Sequence, residues 1–248
     1  MKDKRFTGRL MLEKVSHSYG SVAVLNDLNL EVNPGEFVVL VGPSGCGKTT
    51  ILNLLSGYIE PSTGTITREG VIRTVYQHDG LFPWLTVSEN ISMGLRSADR
   101  NVQHENELAE LIELVRLQGF GNHYPHQLSG GMRQRAELAR VLAGDSDILL
   151  MDEPFSALDY QSRLRMRREL IRLLEKRPRT VVFVTHDIEE AAQLADRVLV
   201  LSNRPATICR ELQIKVPQPR GLTDHAVIKA MDEILNELGL NTPDNTAA

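Results

Sequence analysis

An α/β fold with a parallel sheet at its centre is predicted by three features of the sequence. Runs of aliphatic residues of strand length, at 37–41, 148–152 and 180–184, read as strands buried on both faces. Segments with apolar residues at helical spacing lie between them, as at Leu108, Leu111, Ile112 and Val115. The third feature joins the first strand to a helix-like stretch, Thr50 to Leu55, through Gly42, Pro43, Ser44, Gly45, Cys46, Gly47, Lys48 and Thr49. These residues fit G-x-x-x-x-G-K-[ST] at every fixed position, in the strand–loop–helix context that the pattern requires.

That loop makes the core a P-loop NTPase core. Glycines let backbone N–H groups turn inward around a β-phosphate, and the helix behind them points its positive end at the same place. Lys48 supplies a point charge for β/γ oxygens, and Thr49 offers a hydroxyl to Mg²⁺.

Composition bounds the rest. A chain of 248 residues with 42% hydrophobic residues suffices for one large domain, or one domain with an inserted subdomain. No apolar run approaches the roughly 20 residues needed to cross a bilayer, and the charged N-terminus has no signal-like apolar stretch behind it. Two cysteines, one inside the loop, offer no disulfide framework and suit a reducing cytoplasm. A net charge of −4 argues against broad nucleic-acid binding.

In chain order, two short strands between Leu10 and Val32 read as an antiparallel layer preceding the core. Tyr19 ends the first of them, either packed or free to stack on an adenine ring. Thr65 to Thr67 and Val71 to Tyr76 read as a β-hairpin ending at Gln77. A helical insert is expected over about 78–134, with Trp84 at its entrance either in the core or at a docking face. His123 and His126 read as loop residues rather than metal ligands, since no cysteine or further histidine joins them. Ser129, Gly130 and Gly131 precede a helix that runs to about Ala143, which makes an N-cap and a second anion site.

The strand at 148–152 ends in Asp152 and Glu153, placed to hold Mg²⁺ beside the loop and to orient or deprotonate water. Arg163 to Arg179 reads as a basic helix with a solvated face. His186 and Asp187 stand at the carboxyl end of the next strand, where His186 can reach a γ-phosphate oxygen. Strands follow at Arg197 to Leu201 and around Thr207 to Ile214. Pro217, Pro219 and Gly221 then separate residues 1–220 from a C-terminal helical extension, 221–248.

Taken together, these motifs resemble the ATP-binding subunit of an ABC transporter over nearly the whole chain. Tyr19 matches the adenine-stacking aromatic, Gly42 to Thr49 the Walker A loop, and Gln77 the Q-loop glutamine. Leu128 to Met132 matches the signature, with Met132 where the family commonly has Gln. Ile148 to Asp152 with Glu153 matches Walker B and the catalytic glutamate, Ser156 to Asp159 the D-loop, and His186 the switch histidine. The resemblance implies an ABC ATPase core with an antiparallel β subdomain and an inserted α-helical subdomain. It implies ATP held by Tyr19, Gly42 to Thr50 and Ser129 to Gly131, and Mg²⁺ held by Thr49, Gln77 and Asp152. Catalysis would fall to Glu153, His186, Gln77 and Lys48.

The resemblance also implies a homodimer in which the signature of one copy covers the phosphates on the other's Walker A. Membrane permease subunits would dock around Gln77 to Val87, a substrate-binding protein would act indirectly, and the place of work would be the cytoplasmic side of the inner membrane. Leu81 to Val87, the signature, and the region from Arg204 to Arg220 look similar to the nitrate, aliphatic sulfonate and taurine import group. A GTPase would need an Asn-Lys-x-Asp stretch, and none is present. A DNA- or ribosome-directed relative would be expected to show a coiled-coil insertion, two fused cassettes or a basic surface.

Overall fold

The computed structural model describes residues 8–76, 80–95 and 102–240, without the side chains at 102 and 103. Gln77 lies outside the described residues. Two sheets organise them.

The smaller sheet is antiparallel, with β1 (Arg9–Tyr19) between β2 (Val22–Val32) and β4 (Thr63–Glu69). The first two strands run eleven residues each, longer than their sequence suggests, because pairing continues to Tyr19 opposite Val22 at the very turn. Alternation buries Leu10, Leu12, Leu28 and Leu30 on the face toward the core.

The larger sheet has the order β5-β6-β7-β3-β8-β9: β5 (Ile72–Val75), β6 (Ile148–Asp152), β7 (Thr180–Val184), β3 (Phe37–Val41), β8 (Arg197–Leu201) and β9 (Ile208–Gln213). All its pairings are parallel except β8 with β9. The expected hairpin at 65–76 does not form: β4 joins β1 in the small sheet, whereas β5 pairs with β6 in the large one. Gly70, at φ 110, makes the turn between sheets where a hairpin turn was expected, and Val71 N–H is fixed by the Asp147 carboxylate at 2.8 Å.

Every residue of β3, β6 and β7 is buried, as continuous aliphatic strands covered on both faces must be. Their side chains alternate between two cores. Val39, Leu149, Met151, Val181 and Phe183 pack with the helical side, including Leu138 of α4 (Gly130–Ala143), Leu170 of α5 (Tyr160–Lys176) and Ala191 of α6 (Ile188–Leu194). Val38, Leu40, Leu150 and Val182 face α1 (Lys48–Ser56) and the antiparallel layer.

The helices α2 (Val87–Ser92) and α3 (Val102–Leu114) precede α4, and α7 (His225–Glu237) buries Val227 and Ile234 against the helical core. Trp84 is 69% exposed and only leans on Phe82, which removes its core reading. The basic helix α5 is not wholly solvated either: Arg167 is 1% exposed.

Candidate active site

Three adjacent strands, β6, β7 and β3, bring Lys48, Glu153 and His186 of the expected catalytic residues to one end of the sheet. From β3 the chain enters the glycine loop. Gly47 stands at φ 125, and a Cβ there would come within 2.9 Å of the Val24 side chain, so the loop can lie against β2 only with glycine at this point. Lys48 is buried to 7% exposure, and its ammonium donates to the carbonyls of Gly42 at 2.8 Å and Pro43 at 3.0 Å. Its charge is thereby held over the mouth of the loop. Ser44, Gly45 and Thr49 are exposed, whereas Cys46 and Thr50 are buried. The Arg204 guanidinium lies over Gly45, within 2.8 Å of where a Cβ would be.

Asp152 ends β6 with 4% exposure. Glu153 follows in a left-handed conformation, φ 46, which a residue with a Cβ adopts at a cost of about 1–2 kcal/mol. Its N–H donates to the carbonyl of Val184 on β7 at 2.9 Å, which holds the bend. The bend turns the side chain toward His186, whose Nδ1 stands 3.0 Å from Glu153 Oε1. The carboxylate is mostly covered and the imidazole largely open, at 18% and 61% exposure. A carboxylate of limited hydration beside an accessible imidazole can accept a proton from water and keep its orientation while doing so.

The turn after Glu153 is fixed from α4. Gln134, 7% exposed, donates to the Glu153 carbonyl at 3.1 Å and accepts the Ala157 N–H at 3.0 Å. Asp159 then caps α5 by accepting the Ser162 N–H at 2.9 Å, and bonds from Ser162 hold its carboxyl below the usual range. Arg163 and Arg167, one turn further along α5, both donate to Asp187 Oδ2, at 2.9 and 2.8 Å. Arg167 also reaches Glu190 at 3.2 Å, and Thr185 donates to the other oxygen of Glu190 at 2.7 Å. Burial pushes the Glu190 carboxyl up, against the bonds from Thr185 and Arg167. This buried network brackets His186 on both sides. Residue-type patterns had pointed to none of Gln134, Arg163, Arg167 or Glu190, because their partners lie far off in sequence.

Ser129 caps α4 by accepting the Met132 N–H at 3.3 Å, and Ser129 and Gly130 are exposed. A Cβ on Gly131 would stand 3.1 Å from the Ala157 carbonyl, so the start of α4 packs on the turn after Glu153. Among the described residues, no hydrogen bond joins Ser129 to Gly131 with the glycine loop of the same chain. Tyr19 is half exposed, its ring edge-on to His17 with centroids 4.7 Å apart.

For a divalent cation the chain offers the Thr49 hydroxyl and the Asp152 carboxylate, hard oxygen donors near the loop. Among the described residues no cluster of three acidic, histidine or cysteine ligands exists, for a metal at His123 or elsewhere. So sparse an oxygen set fits Mg²⁺ carried mainly by substrate phosphates and water, and does not fit zinc.

The chain is similar to known proteins over most of its length. A protein-family model described as "ABC transporter" matches residues 25–156. The aliphatic sulfonates import ATP-binding protein SsuB 1 of Rhodococcus jostii is 42% identical, the match covering 95% of each chain. SsuB of Bacillus cereus is 38% identical over 90% of this chain and 91% of its own. Among solved structures, a dimeric post-hydrolysis state of the ATP-binding cassette MJ0796, bound to ADP and Pi, is similar with a TM-score of 0.75 and 31% identity. It covers 84% of this chain and all of the other.

Proposed function

Because this chain belongs to the ABC transporter family, whose ATP-binding subunits hydrolyse ATP, we propose that it energises import of a small organic anion, an aliphatic sulfonate first among them. The names of its relatives and the marks at Leu81 to Val87 and Arg204 to Arg220 support the substrate class. The hydrolytic reading is carried above all by the 3.0 Å pair of Glu153 and His186 at the strand ends next to the glycine loop.

In this reading the loop N–H groups and Lys48 bind the β- and γ-phosphates, and Tyr19 stacks on the base. Thr49, Asp152 and Gln77 would hold Mg²⁺, which neutralises phosphate charge when bound. Glu153 takes a proton from the attacking water, and His186 keeps the carboxylate aimed and donates toward the γ-phosphate. Ser129, Gly130 and Gly131 act on the ATP of a second copy: N–H groups of a first helical turn have no acceptor within the helix, and Ser129 and Gly130 are exposed. The working unit is then a homodimer on the cytoplasmic face of the inner membrane, docked on permease subunits that a substrate-binding protein loads. No helix among the described residues is long and apolar enough to cross a membrane, which fits separate permeases.

The experiment is sulfonate-dependent growth and uptake in a strain deleted for this gene, complemented by wild type or Glu153→Gln. Uptake restored by the wild type alone supports the proposal. Uptake unaffected by the deletion sinks the sulfonate assignment, and restoration by Glu153→Gln sinks the catalytic one.

A further inference from the structure

The end of β8 and the turn that follows it, residues 202–207, lie against the glycine loop. A Cβ on Gly42 would stand 3.1 Å from the Leu201 carbonyl oxygen, and one on Gly45 would stand 2.8 Å from an amino nitrogen of Arg204. The chain therefore touches the loop twice, at its start and at its middle. Gly45 is exposed and left-handed, at φ 72, so any side chain there would be strained and would also push the guanidinium away.

Backbone bonds hold the turn in this place. Ser202 N–H donates to the Thr207 carbonyl at 3.0 Å, and Thr207 N–H returns to the Ser202 Oγ at 3.0 Å. Ala206 joins the turn to β2, donating to the Val24 carbonyl at 2.8 Å and accepting the Asn26 N–H at 3.2 Å. Val24 is also the residue against which Gly47 packs. One strand thus sets both the glycine loop and the turn, which fixes the root of Arg204 beside Gly45.

Arg204 is exposed, and among the described residues its guanidinium makes no hydrogen bond and no ion pair. No acid occurs from Leu201 to Ile208. Its amino nitrogen stands nearer the Gly45 site than its central carbon does, 2.8 against 3.9 Å, so the planar fork meets the loop by one edge. A permanently charged fork of five donors matches phosphate oxygens. Lys48 already donates to the Gly42 and Pro43 carbonyls, whereas Arg204 brings a charge that is not so engaged.

We propose that Arg204 is a second phosphate-binding cation of the glycine loop, donating to a β-phosphate oxygen of the nucleotide bound in its own chain. The inference rests on the ABC ATPase reading and adds a residue outside every nucleotide-binding motif. The β-phosphate is the target because Gly45 stands mid-loop, among the amides that turn around that group. Arg204 accordingly holds ATP and ADP alike.

Equilibrium binding of ATP and of ADP to the purified full chain tests this, with steady-state ATPase kinetics and melting temperatures alongside. Arg204→Ala should weaken both nucleotides about five- to twentyfold, in parallel, with the nucleotide-free melting temperature unchanged because the side chain is exposed. KM for ATP should rise while kcat stays within about twofold, as for a contact made equally before and during reaction. Arg204→Lys should recover part of the affinity; Arg204→Met, which keeps an apolar stem and no charge, should bind as weakly as Arg204→Ala. Wild-type affinity in Arg204→Ala overturns the proposal, and affinity restored by Arg204→Met assigns the residue to packing on the loop instead. A loss for ATP with ADP unaffected overturns the β-phosphate contact. A wild-type chain that binds no ATP fails the ABC ATPase reading itself, a result separable from a binding wild type matched by Arg204→Ala.

Discussion

The strand ends and the start of α4 are built on opposite plans. At the strand ends, Lys48, Asp152 and the backbone of Glu153 are buried or bonded into neighbouring strands, and His186 pairs with Glu153 inside the same chain. At the start of α4, Ser129 and Gly130 are exposed and carry no bond to that cluster among the described residues. The first region stores its geometry internally; the second offers donors outward. Under the proposed function a chain made this way binds nucleotide alone, and a second copy supplies the outward half that meets the γ-phosphate from the other side.

Substitutions can break this contrast, the internal half giving the largest effects. Glu153→Gln should lower kcat by about 10²–10⁴, the usual value of a positioned general base, with ATP affinity retained. Single-turnover assays and equilibrium nucleotide binding measure the two quantities; wild-type turnover would remove Glu153 from the role. Arg167→Ala should destabilise the chain by about 3–5 kcal/mol, since it strands Glu190 without its buried cation. Denaturant unfolding reads this, and a loss under about 1 kcal/mol would mean that solvent reaches the site. Lys48→Ala should weaken ATP binding about 10- to 100-fold, the worth of a charge-assisted bond. Ser129→Trp should leave binding intact and abolish hydrolysis. ATPase activity per wild-type chain should also rise with protein concentration, and a rate independent of concentration across the dimerisation range would contradict the shared site.

Much of the internal half was legible in the sequence because its signals are local. A mostly apolar strand announces burial on both faces, and loop, acids and histidine each stand at the end of one or within two residues of it, after Val41, at Asp152 and Glu153, and past Val184. A serine before two glycines likewise marks the cap of α4. What escaped depends on partners distant in sequence. Val71 to Tyr76 resembles the second arm of a hairpin, and only pairing with β6, a strand more than seventy residues on, places it in the other sheet. Arg167 is hidden in a helix whose charges average to a solvated face, although its own position points between α5 and α6. Gln134 reads as an ordinary polar helix residue until its partners at 153 and 157 are brought beside it.

The smallest expected effect falls on Tyr19, which belongs to neither half of the contrast. It stands at the end of β1, in the antiparallel layer, with one edge supported by the buried His17 ring and half its surface open. Among the described residues neither His17 ring nitrogen has a hydrogen-bond partner, and the ring meets Tyr19 edge-on. A base stacked on the open Tyr19 face gains about 0.5–1.5 kcal/mol, which makes Tyr19→Ala a two- to tenfold loss of ATP affinity. Tyr19→Phe and Tyr19→Trp should bind within about twofold of wild type, because the face and not the hydroxyl makes the contact. Every base has such a face, so GTP affinity should fall in parallel with ATP affinity in Tyr19→Ala. Fluorescent-nucleotide titration separates the cases. Loss in Tyr19→Phe equal to that in Tyr19→Ala would assign the contact to the hydroxyl, and an unchanged affinity in Tyr19→Ala would place the base away from this strand end altogether.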